Sequence, residues 1–361
     1  MSELSRGQLA PLVDAEDVST LSYQELHRLF EREPGLADHL PDGICQIDPR
    51  SDEPVLFNRS RARRPHDNRA GAQTPCIVCT GRITRAVDVA GLSRGFTFIN
   101  KNLYPILKPG AGETAPSGRP AHGLHFLQWT SSDHDLDWHN MPLADRLVVL
   151  GRLAALERTL LFGARGVMAD NRDWGDEQET AGYVGVIKNH GHLVGGSVAH
   201  GHQQIGLSNL MPRRFLENLR FERARGEKYA RFILRENPAG LTLVDYGAAA
   251  LLVPYFMRRP FDMQLVLRDP DRRYLFQLAR DELEALARGL HDAIGAVRRL
   301  MPALGKEIAY NVVTHSGPGA GLYLEFLPYT QETGGFEQLG LISCQASPDE
   351  AARRLREAIA G

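Results

Sequence analysis

The chain has 361 residues, enough for one large domain or two ordinary ones with full hydrophobic cores. Its 43% hydrophobic and 24% charged residues are ordinary for a globular protein, and 42 basic residues nearly balance 44 acidic ones. The net charge of −2 gives no overall argument for nucleic acid or an anionic membrane as partner, so any phosphate recognition must be local.

Targeting signals and cysteine content further restrict the class of protein to which the chain can belong. The first residues lack the basic and apolar regions of a secretory signal. The longest apolar stretch, 147–156, is too short to span a bilayer. Four cysteines are too few for a disulfide scaffold in a chain of this length. We therefore expect a cytoplasmic protein with no membrane segment.

The first 120 residues contain few predicted elements. Ser22 is a favourable N-cap for a short helix with apolar residues at helical spacing. Residues 41–74 are rich in Pro, Asp, Asn and Arg, which predicts loops with at most one strand. Residues 109–120 are predicted to form another loop because they are rich in Gly and Pro. We assign residues 1–55 to an N-terminal extension.

A strand–helix–strand–strand pattern then occurs twice. The first copy consists of a strand over 125–130, a helix beginning near Pro142, and strands over 183–187 and 197–207. The second copy consists of a strand over 263–267, a helix through 283–297, and strands over 308–314 and 322–327. The repetition predicts a duplicated α+β fold in which helices pack on antiparallel sheets. We place one half in residues 56–210 and the other in residues 211–361.

The last strand of the first copy carries a row of polar side chains. His200, His202 and Gln204 would project from one face, because strand side chains alternate with period two. The second copy has Tyr323 and Glu325 in its last strand instead. A surface strand of hydrogen-bonded histidines is the alternative interpretation, but three aligned polar groups after a glycine turn favour chemistry. We expect a catalytic first half and a degenerate second half.

The chemistry that suits this row is transfer to phosphorus. A neutral imidazole can attack a phosphorus atom, provided that its tautomer is fixed and donors stabilise the developing charge. The segment 188–197, with Gly191, Gly195, Gly196 and Ser197, predicts a turn whose amides and hydroxyl hold phosphate oxygens. We therefore predict that His202 is the nucleophile and that Gln204 and Ser197 assist it.

Cys76-Ile-Val-Cys79 has the spacing of half a tetrahedral zinc site. The sequence has no second Cys-x-x-Cys, so His134 and His200 are the candidates for the other two ligands. A redox pair or two buried thiols would explain the motif about equally well. If zinc binds, the site is structural, with four protein ligands and no open position for water.

Together these motifs resemble the galactose-1-phosphate uridylyltransferase family of the histidine-triad superfamily. The resemblance runs from about Leu56 to the C-terminus. It is carried by Arg61-Ala-Arg-Arg-Pro65, Cys76-x-x-Cys79, Asn102-Leu-Tyr-Pro105, Ser132-Asp-His134 and His200-Gly-His-Gln-Gln204. Several motifs in the same order are far more specific than any one of them.

The resemblance implies a covalent nucleotidyl intermediate on His202 and double displacement between a nucleotide-sugar and a phosphorylated acceptor. It also implies a homodimer. The positions that match the family's Zn²⁺ ligands are Cys76, Cys79, His134 and His200. The positions that match contacts to the nucleotide or its phosphates are Arg61, Arg64, Asn102, Asn189, Ser197 and Gln204. Taken alone, the arginine cluster at 59–64 is more typical of a solvated loop.

The sequence departs from the family pattern in three places. Gly201 replaces the proline of the usual His-Pro-His motif. Some members bind a second metal through a His-x-His in the C-terminal half, and Tyr323 and Glu325 at those positions predict its absence. The segments 188–191 and 334–337 look more like the ADP-glucose phosphorylase branch, which transfers AMP to inorganic phosphate.

These departures leave several functions open. The leading hypothesis is transfer of a nucleoside monophosphate from a nucleotide-sugar to a sugar 1-phosphate, and its nearest rival is the AMP-transferring phosphorylase reaction. Hydrolysis of the nucleotide, or nucleotide binding without catalysis, would be functions of another class. Retention of both His202 and Gln204 argues against an inactive protein.

Overall fold

The computed structural model describes residues 3–51, 53–64, 75–110, 118–163 and 182–361. Pro65 and parts of the predicted loops at 41–74 and 109–120 lie outside the described residues. The α-helices are α1 (Arg6–Leu9), α2 (Tyr23–Glu31), α3 (Leu143–Gly163), α4 (Arg213–Arg225), α5 (Tyr229–Glu236), α6 (Arg280–Ala303), α7 (Gly335–Gln338) and α8 (Pro348–Ala360). The strands are β1 (Ile44–Asp48), β2 (Glu53–Leu56), β3 (Ala86–Gly91), β4 (Phe96–Lys101), β5 (Arg119–Pro120), β6 (Gly123–Trp129), β7 (Tyr183–His190), β8 (His202–Ser208), β9 (Thr242–Asp245), β10 (Ala249–Leu252), β11 (Met263–Leu267), β12 (Tyr310–His315) and β13 (Tyr323–Pro328).

One antiparallel sheet of ten strands runs through both halves. Its order is β3-β4-β6-β8-β7-β12-β13-β11-β10-β9, and β7 pairs with β12 at the centre. Strand by strand, β6, β8 and β7 on one side correspond to β11, β13 and β12 on the other. Each half therefore repeats the unit strand–helix–strand–strand, which confirms the α+β fold predicted from the sequence. The sheets of the two halves are joined edge to edge, so the halves share one hydrophobic core.

The two long helices cover one face of this sheet. Helices α3 and α6 pack against each other, and their apolar stripes bury Leu153, Leu290 and Ile294. Phe126 of β6 and Val186 of β7 point into the same core. Because strand side chains alternate, the neighbouring positions on β6 and β8 point to the opposite face. That opposite face carries the candidate site.

The predicted helices and most predicted strands are present. Ser22 caps α2 through a capping box with Glu25, and α3 begins directly after Pro142. The segment predicted to contain at most one strand forms two short ones, β1 and β2, which pair with each other. Strands this short, with polar residues among the apolar ones, show too little hydrophobic alternation to be detected in the sequence.

The strand predicted over 197–207 is wrong at its start. It begins at His202, and residues 197–201 form an irregular segment that leads into it. The ladder between β7 and β8 ends at the pair Ile187–Gln204, although β7 itself continues to His190 and stays paired with β12 there. His200 therefore lies before the strand rather than in line with His202 and Gln204.

The N-terminal segment packs onto the first half through buried ion pairs. Asp88 on β3 accepts the backbone N–H of Val18 at 2.8 Å. The ammonium of Lys101, which is fully buried on β4, lies 2.6 Å from carboxylate oxygens of both Asp14 and Glu33. These contacts determine where the segment packs on the sheet, because a buried charge left without its partner would be strongly destabilising.

No helix among the described residues is both long enough and apolar enough to cross a membrane.

Candidate active site

The face of the sheet opposite α3 and α6 forms the floor of a cavity of about 610 Å³. Leu127 and Trp129 of β6 line it, together with His202 and Gln204 of β8. The strand register places Trp129 opposite His202 and Leu127 opposite Gln204. The sheet therefore presents the predicted nucleophile and its predicted assistant side by side, and the predicted contacts Arg64, Asn102 and Ser197 lie in the same wall.

A backbone carbonyl fixes the tautomer of His202. Its Nδ1 lies 2.8 Å from the carbonyl oxygen of His200, and a carbonyl can only accept, so Nδ1 carries the proton. The lone pair is therefore on Nε2. Trp129 packs against the ring, with a distance of 4.9 Å between ring centroids, and holds its plane. The arrangement leaves a neutral, oriented ring nitrogen that could act as a nucleophile.

Burial keeps the His202 ring neutral. The side chain is 6% exposed, and this burial, reinforced by the nearby Lys188 ammonium, lowers the pKa of His202 to about 4. An imidazole with a pKa this low is unprotonated at neutral pH, so its lone pair is available for attack.

A second histidine orients Gln204. The backbone N–H of Ile106 donates to Nδ1 of His125 at 3.1 Å, so the neutral ring carries its proton on Nε2. That Nε2 lies 3.1 Å from Oε1 of Gln204 and donates to it. Because Oε1 of Gln204 is occupied by this hydrogen bond, the amide NH₂ is the group that Gln204 can offer to a ligand in the cavity. Burial first, and Arg61 second, lower the pKa of His125 to about 3, so it stays neutral as this relay requires.

The predicted glycine turn forms beside His202. Gly191 and Gly195 both have positive φ, 91° and 81°, which glycine adopts without the penalty of a Cβ. Ser197 follows the turn and lines the cavity. Asn189 does not line the cavity; its side-chain oxygen accepts a hydrogen bond of 2.7 Å from Asn311 and so supports the turn from behind.

Two half-buried guanidinium groups lie close together, and one of them lines the cavity. Arg64 lines it, and its Nε is buried without a hydrogen-bond partner among the described residues. Arg61 donates to the carbonyl oxygen of Tyr104 at 2.9 Å, and burial together with Arg64 lowers the pKa of Arg61 to about 10. Within the described part of the chain, neither forms an ion pair with a carboxylate. Two adjacent uncompensated cations make this wall suited to an anion such as a nucleotide phosphate.

The candidate metal ligands converge as the sequence predicted. The ligand atoms of Cys76, Cys79, His134 and His200 all lie within 4.8 Å of one another. Nδ1 of His200 is 3.6 Å from Sγ of Cys76, and Nδ1 of His134 is 3.6 Å from Sγ of Cys79. Zn–S and Zn–N bonds at tetrahedral angles place sulfur and nitrogen about 3.6 Å apart, so the spacing fits zinc.

The protonation of this cluster also fits a cation. Nε2 of His200 donates to the carbonyl oxygen of Ser131 at 2.7 Å, which leaves the lone pair on Nδ1, the atom that faces the thiols. Burial, with Cys76 as a neighbour, raises the pKa of Cys79 to about 12, because two thiolates in one buried site repel. A divalent ion would reverse this penalty. The cluster could therefore hold a metal, and four protein ligands make it a closed site.

No role was predicted from the sequence for three residues around the site, His125, Trp129 and Lys188. His125 was detectable, since it occupies the same strand face as the cavity residues two and four positions on. Glu33 and Pro34 of the N-terminal extension also line the cavity, and no motif in the sequence indicated this.

Comparison with known proteins agrees with this geometry. No protein-family model matches the chain. The galactose-1-phosphate uridylyltransferase of Cryptococcus neoformans var. neoformans serotype D is 27% identical over 246 residues, which are 60% of this chain and 62% of that protein. The match thus spans less than two thirds of the curated relative.

Solved structures share the fold over most of the chain. A structure of a uridylyltransferase has a TM-score of 0.67 and 21% identity, covering 88% of this chain and 98% of that one. An ADP-glucose phosphorylase from Arabidopsis thaliana with bound ADP-glucose has a TM-score of 0.64 and 17% identity, covering 87% and 98%. These similarities confirm the resemblance read from the motifs: in sequence and in fold, this chain is similar to the galactose-1-phosphate uridylyltransferase family.

Proposed function

We propose that the protein is a nucleotidyltransferase that moves a nucleoside monophosphate through a covalent intermediate on His202. The observation that carries this proposal is the state of one ring. His202 is neutral, its Nδ1 proton is engaged by the His200 carbonyl, and the residue lines a cavity with arginines in the wall. Each of these features serves attack on phosphorus, and none is needed for packing.

The first half-reaction forms a phosphorus–nitrogen bond. The Nε2 lone pair attacks the α-phosphorus of a nucleotide-sugar, and the bond from that phosphorus to the bridging oxygen breaks. The sugar phosphate leaves with the electron pair, and the ring becomes a positively charged nucleotidyl-imidazolium. The Gln204 amide, the Ser197 hydroxyl and the Arg64 guanidinium, which belong to residues that line the cavity, would stabilise the charge on the phosphoryl oxygens.

The second half-reaction reverses these steps with a new acceptor. A phosphate oxygen of the acceptor attacks the same phosphorus, the phosphorus–nitrogen bond breaks, and His202 returns to its neutral state. No net proton transfer to the ring is required, because the attacking oxygen is already ionised at neutral pH.

We also propose that Cys76, Cys79, His134 and His200 hold a structural Zn²⁺ ion. When bound, zinc would supply a rigid cross-link rather than a reacting group. Because the carbonyl of His200 engages His202, holding His200 in place also holds the nucleophile. This link between the two sites explains why ligand and nucleophile lie only two residues apart.

Two donor–acceptor pairs remain candidates. The curated relative's name favours a uridine nucleotide-sugar with a sugar 1-phosphate as acceptor. The segments 188–191 and 334–337 favour the alternative, AMP transfer from ADP-glucose or a related nucleotide to inorganic phosphate. Incubation with UDP-glucose, UDP-galactose or ADP-glucose, each with galactose 1-phosphate or phosphate, would separate them. Product that forms only with an acceptor present supports transfer, whereas steady nucleotide release in water alone would indicate a hydrolase.

We further propose that the protein is a homodimer and that residues 1–55 form an extension of the catalytic half, with the second half providing scaffold. Three large apolar side chains near α7, Phe336, Leu339 and Leu341, are 68, 83 and 67% exposed. Such a patch is costly in water and is typical of an interface. Sedimentation equilibrium should give twice the chain mass, and a monomer at micromolar concentration would contradict the dimer.

A further inference from the structure

A buried ion pair lies behind the catalytic strand, on the helix-covered face of the sheet. The Lys188 ammonium of β7 is 2.7 Å from Oδ2 of Asp137, and both side chains are buried. Oδ1 of Asp137 accepts the backbone N–H of Trp138 at 2.9 Å. The hydroxyl of Thr130 lies 3.2 Å from the same oxygen. A buried ion pair contributes little net stability compared with apolar packing, so its presence here calls for another explanation.

The ion pair is connected directly to the nucleophile's backbone. Nζ of Lys188 donates to the carbonyl oxygen of His202 at 3.1 Å. The backbone ladder between β7 and β8 ends at Ile187 and Gln204, so His202 has no backbone pairing with β7. The side chain of Lys188 thus supplies a hydrogen bond at the position where the sheet no longer does.

The glycine of the His-Gly-His segment is packed against the same pair. A Cβ at position 201 would lie 2.8 Å from Cγ of Asp137 and 2.7 Å from Oγ1 of Thr130, so a larger residue does not fit without a shift. Proline would fix φ at this position, whereas glycine is the most flexible residue. The segment between His200 and His202 therefore needs restraint from outside its own backbone.

We infer that Lys188 and Asp137 are positioning residues, which hold the His202 carbonyl and the Gly201 segment so that the ring keeps its line of attack. Asp137 fills the space that only glycine leaves at position 201 and orients Lys188. Lys188 then anchors the nucleophile's backbone. This inference rests on the proposed function, since it concerns how His202 is aimed. It also explains how a flexible glycine is tolerated between a metal-ligand candidate and a nucleophile.

The test is a single-turnover measurement on the full-length protein. The Lys188→Met/Asp137→Asn double variant removes both charges, so neither remains buried alone. We expect nucleotidyl adduct formation, followed by quenching and intact-protein mass spectrometry, to slow by about 10- to 100-fold, the range expected for a misaligned reacting atom. Nucleotide affinity, measured by titration in a His202→Asn background, and zinc content should stay within about twofold of the parent proteins, because neither residue lines the cavity or belongs to the candidate metal cluster.

The matched control is another ion pair in the same half, between the partly buried Arg152 and the fully buried Asp88. Arg152→Met/Asp88→Asn should lower the melting temperature and leave the rate of adduct formation unchanged. If the Lys188→Met/Asp137→Asn variant does not fold, Lys188→Arg keeps the ion pair but shifts its donor atoms, and it should still slow the step several-fold.

The outcomes separate this inference from the proposed function. If the wild type forms no adduct with any nucleotide-sugar, the proposed function itself fails. If the wild type forms the adduct and the variants form it at the same rate, the positioning inference is overturned. A rate loss that merely follows loss of zinc or of nucleotide affinity would also overturn it, because it would show a general structural role.

Discussion

The relay from Ile106 through His125 to Gln204 gives a sharp prediction. Asn at position 125 keeps an acceptor near the position of Nδ1 for the Ile106 N–H but provides no donor at the position of Nε2. Gln at position 125 places a donor near Nε2 instead. We therefore expect His125→Asn to release Oε1 of Gln204, so that its amide no longer presents NH₂ to the phosphate. His125→Gln should preserve that orientation.

The size of the effect follows from the hydrogen bonds. Removing a preorganised donor from a developing oxyanion costs about 10²- to 10³-fold in rate. Loss of orientation alone should cost less, because the amide still adopts the productive state part of the time. We predict a loss of about 10- to 100-fold for His125→Asn, equivalent to about 1.4–2.7 kcal/mol. The rate of His125→Gln should stay within about fivefold of the wild-type rate.

A double-mutant cycle tests whether the substitution at position 125 acts through Gln204. In a Gln204→Ala background, His125→Asn should change the rate of adduct formation by less than about twofold, because the group it orients is gone. Rates are measured in single turnovers, with melting temperatures to confirm folding. Additive losses from the two substitutions, or a His125→Asn variant as fast as wild type, would refute the relay.

The remaining predictions concern the metal cluster, the arginine wall and a buried acid. Cys76→Ser should lose stoichiometric zinc in elemental analysis and lower the melting temperature more than it alters the rate of protein that stays folded. Arg64→Met should weaken nucleotide binding by about 10- to 100-fold in calorimetric titration, since charged hydrogen bonds contribute about 1.5–3 kcal/mol; it should not destabilise the free protein, because the group lacks a carboxylate partner among the described residues. Burial raises the pKa of Glu157 to about 8, so its stabilising neutral form is lost as pH rises from about 4.5 through 8. The melting temperature of Glu157→Gln should therefore rise relative to that of wild type when the pH is raised from 5 to 8. A difference in melting temperature that does not depend on pH would contradict this.

Local patterns predicted much of the fold. The helical spacing of leucines located α3 and α6, and Ser22 as an N-cap located the start of α2, because these signals lie within a few residues of each other. The repeat predicted the two-halved architecture. The joining of the halves through β7 and β12 was not predictable in this way, since it depends on pairing between residues more than 100 positions apart.

The same distinction applies to the site. His202 and Gln204 could be predicted as site residues because strand periodicity and motif order point to them directly, and both line the cavity. The relay through His125 and the anchoring by Lys188 required the register of β6 against β8 and the point at which the β7 ladder ends. The strand's true start at His202 was missed because a glycine-rich lead-in reads equally well as strand or turn.

Intact-protein mass spectrometry after brief exposure to UDP-glucose, UDP-galactose or ADP-glucose tests the central claim most directly. The account predicts that the wild type gains the mass of one nucleoside monophosphate, on a peptide that contains His202, and that the gain disappears when acceptor is added. His202→Asn should gain nothing while remaining folded. An unmodified wild type that still turns over the donor, or an adduct retained in His202→Asn, would contradict it.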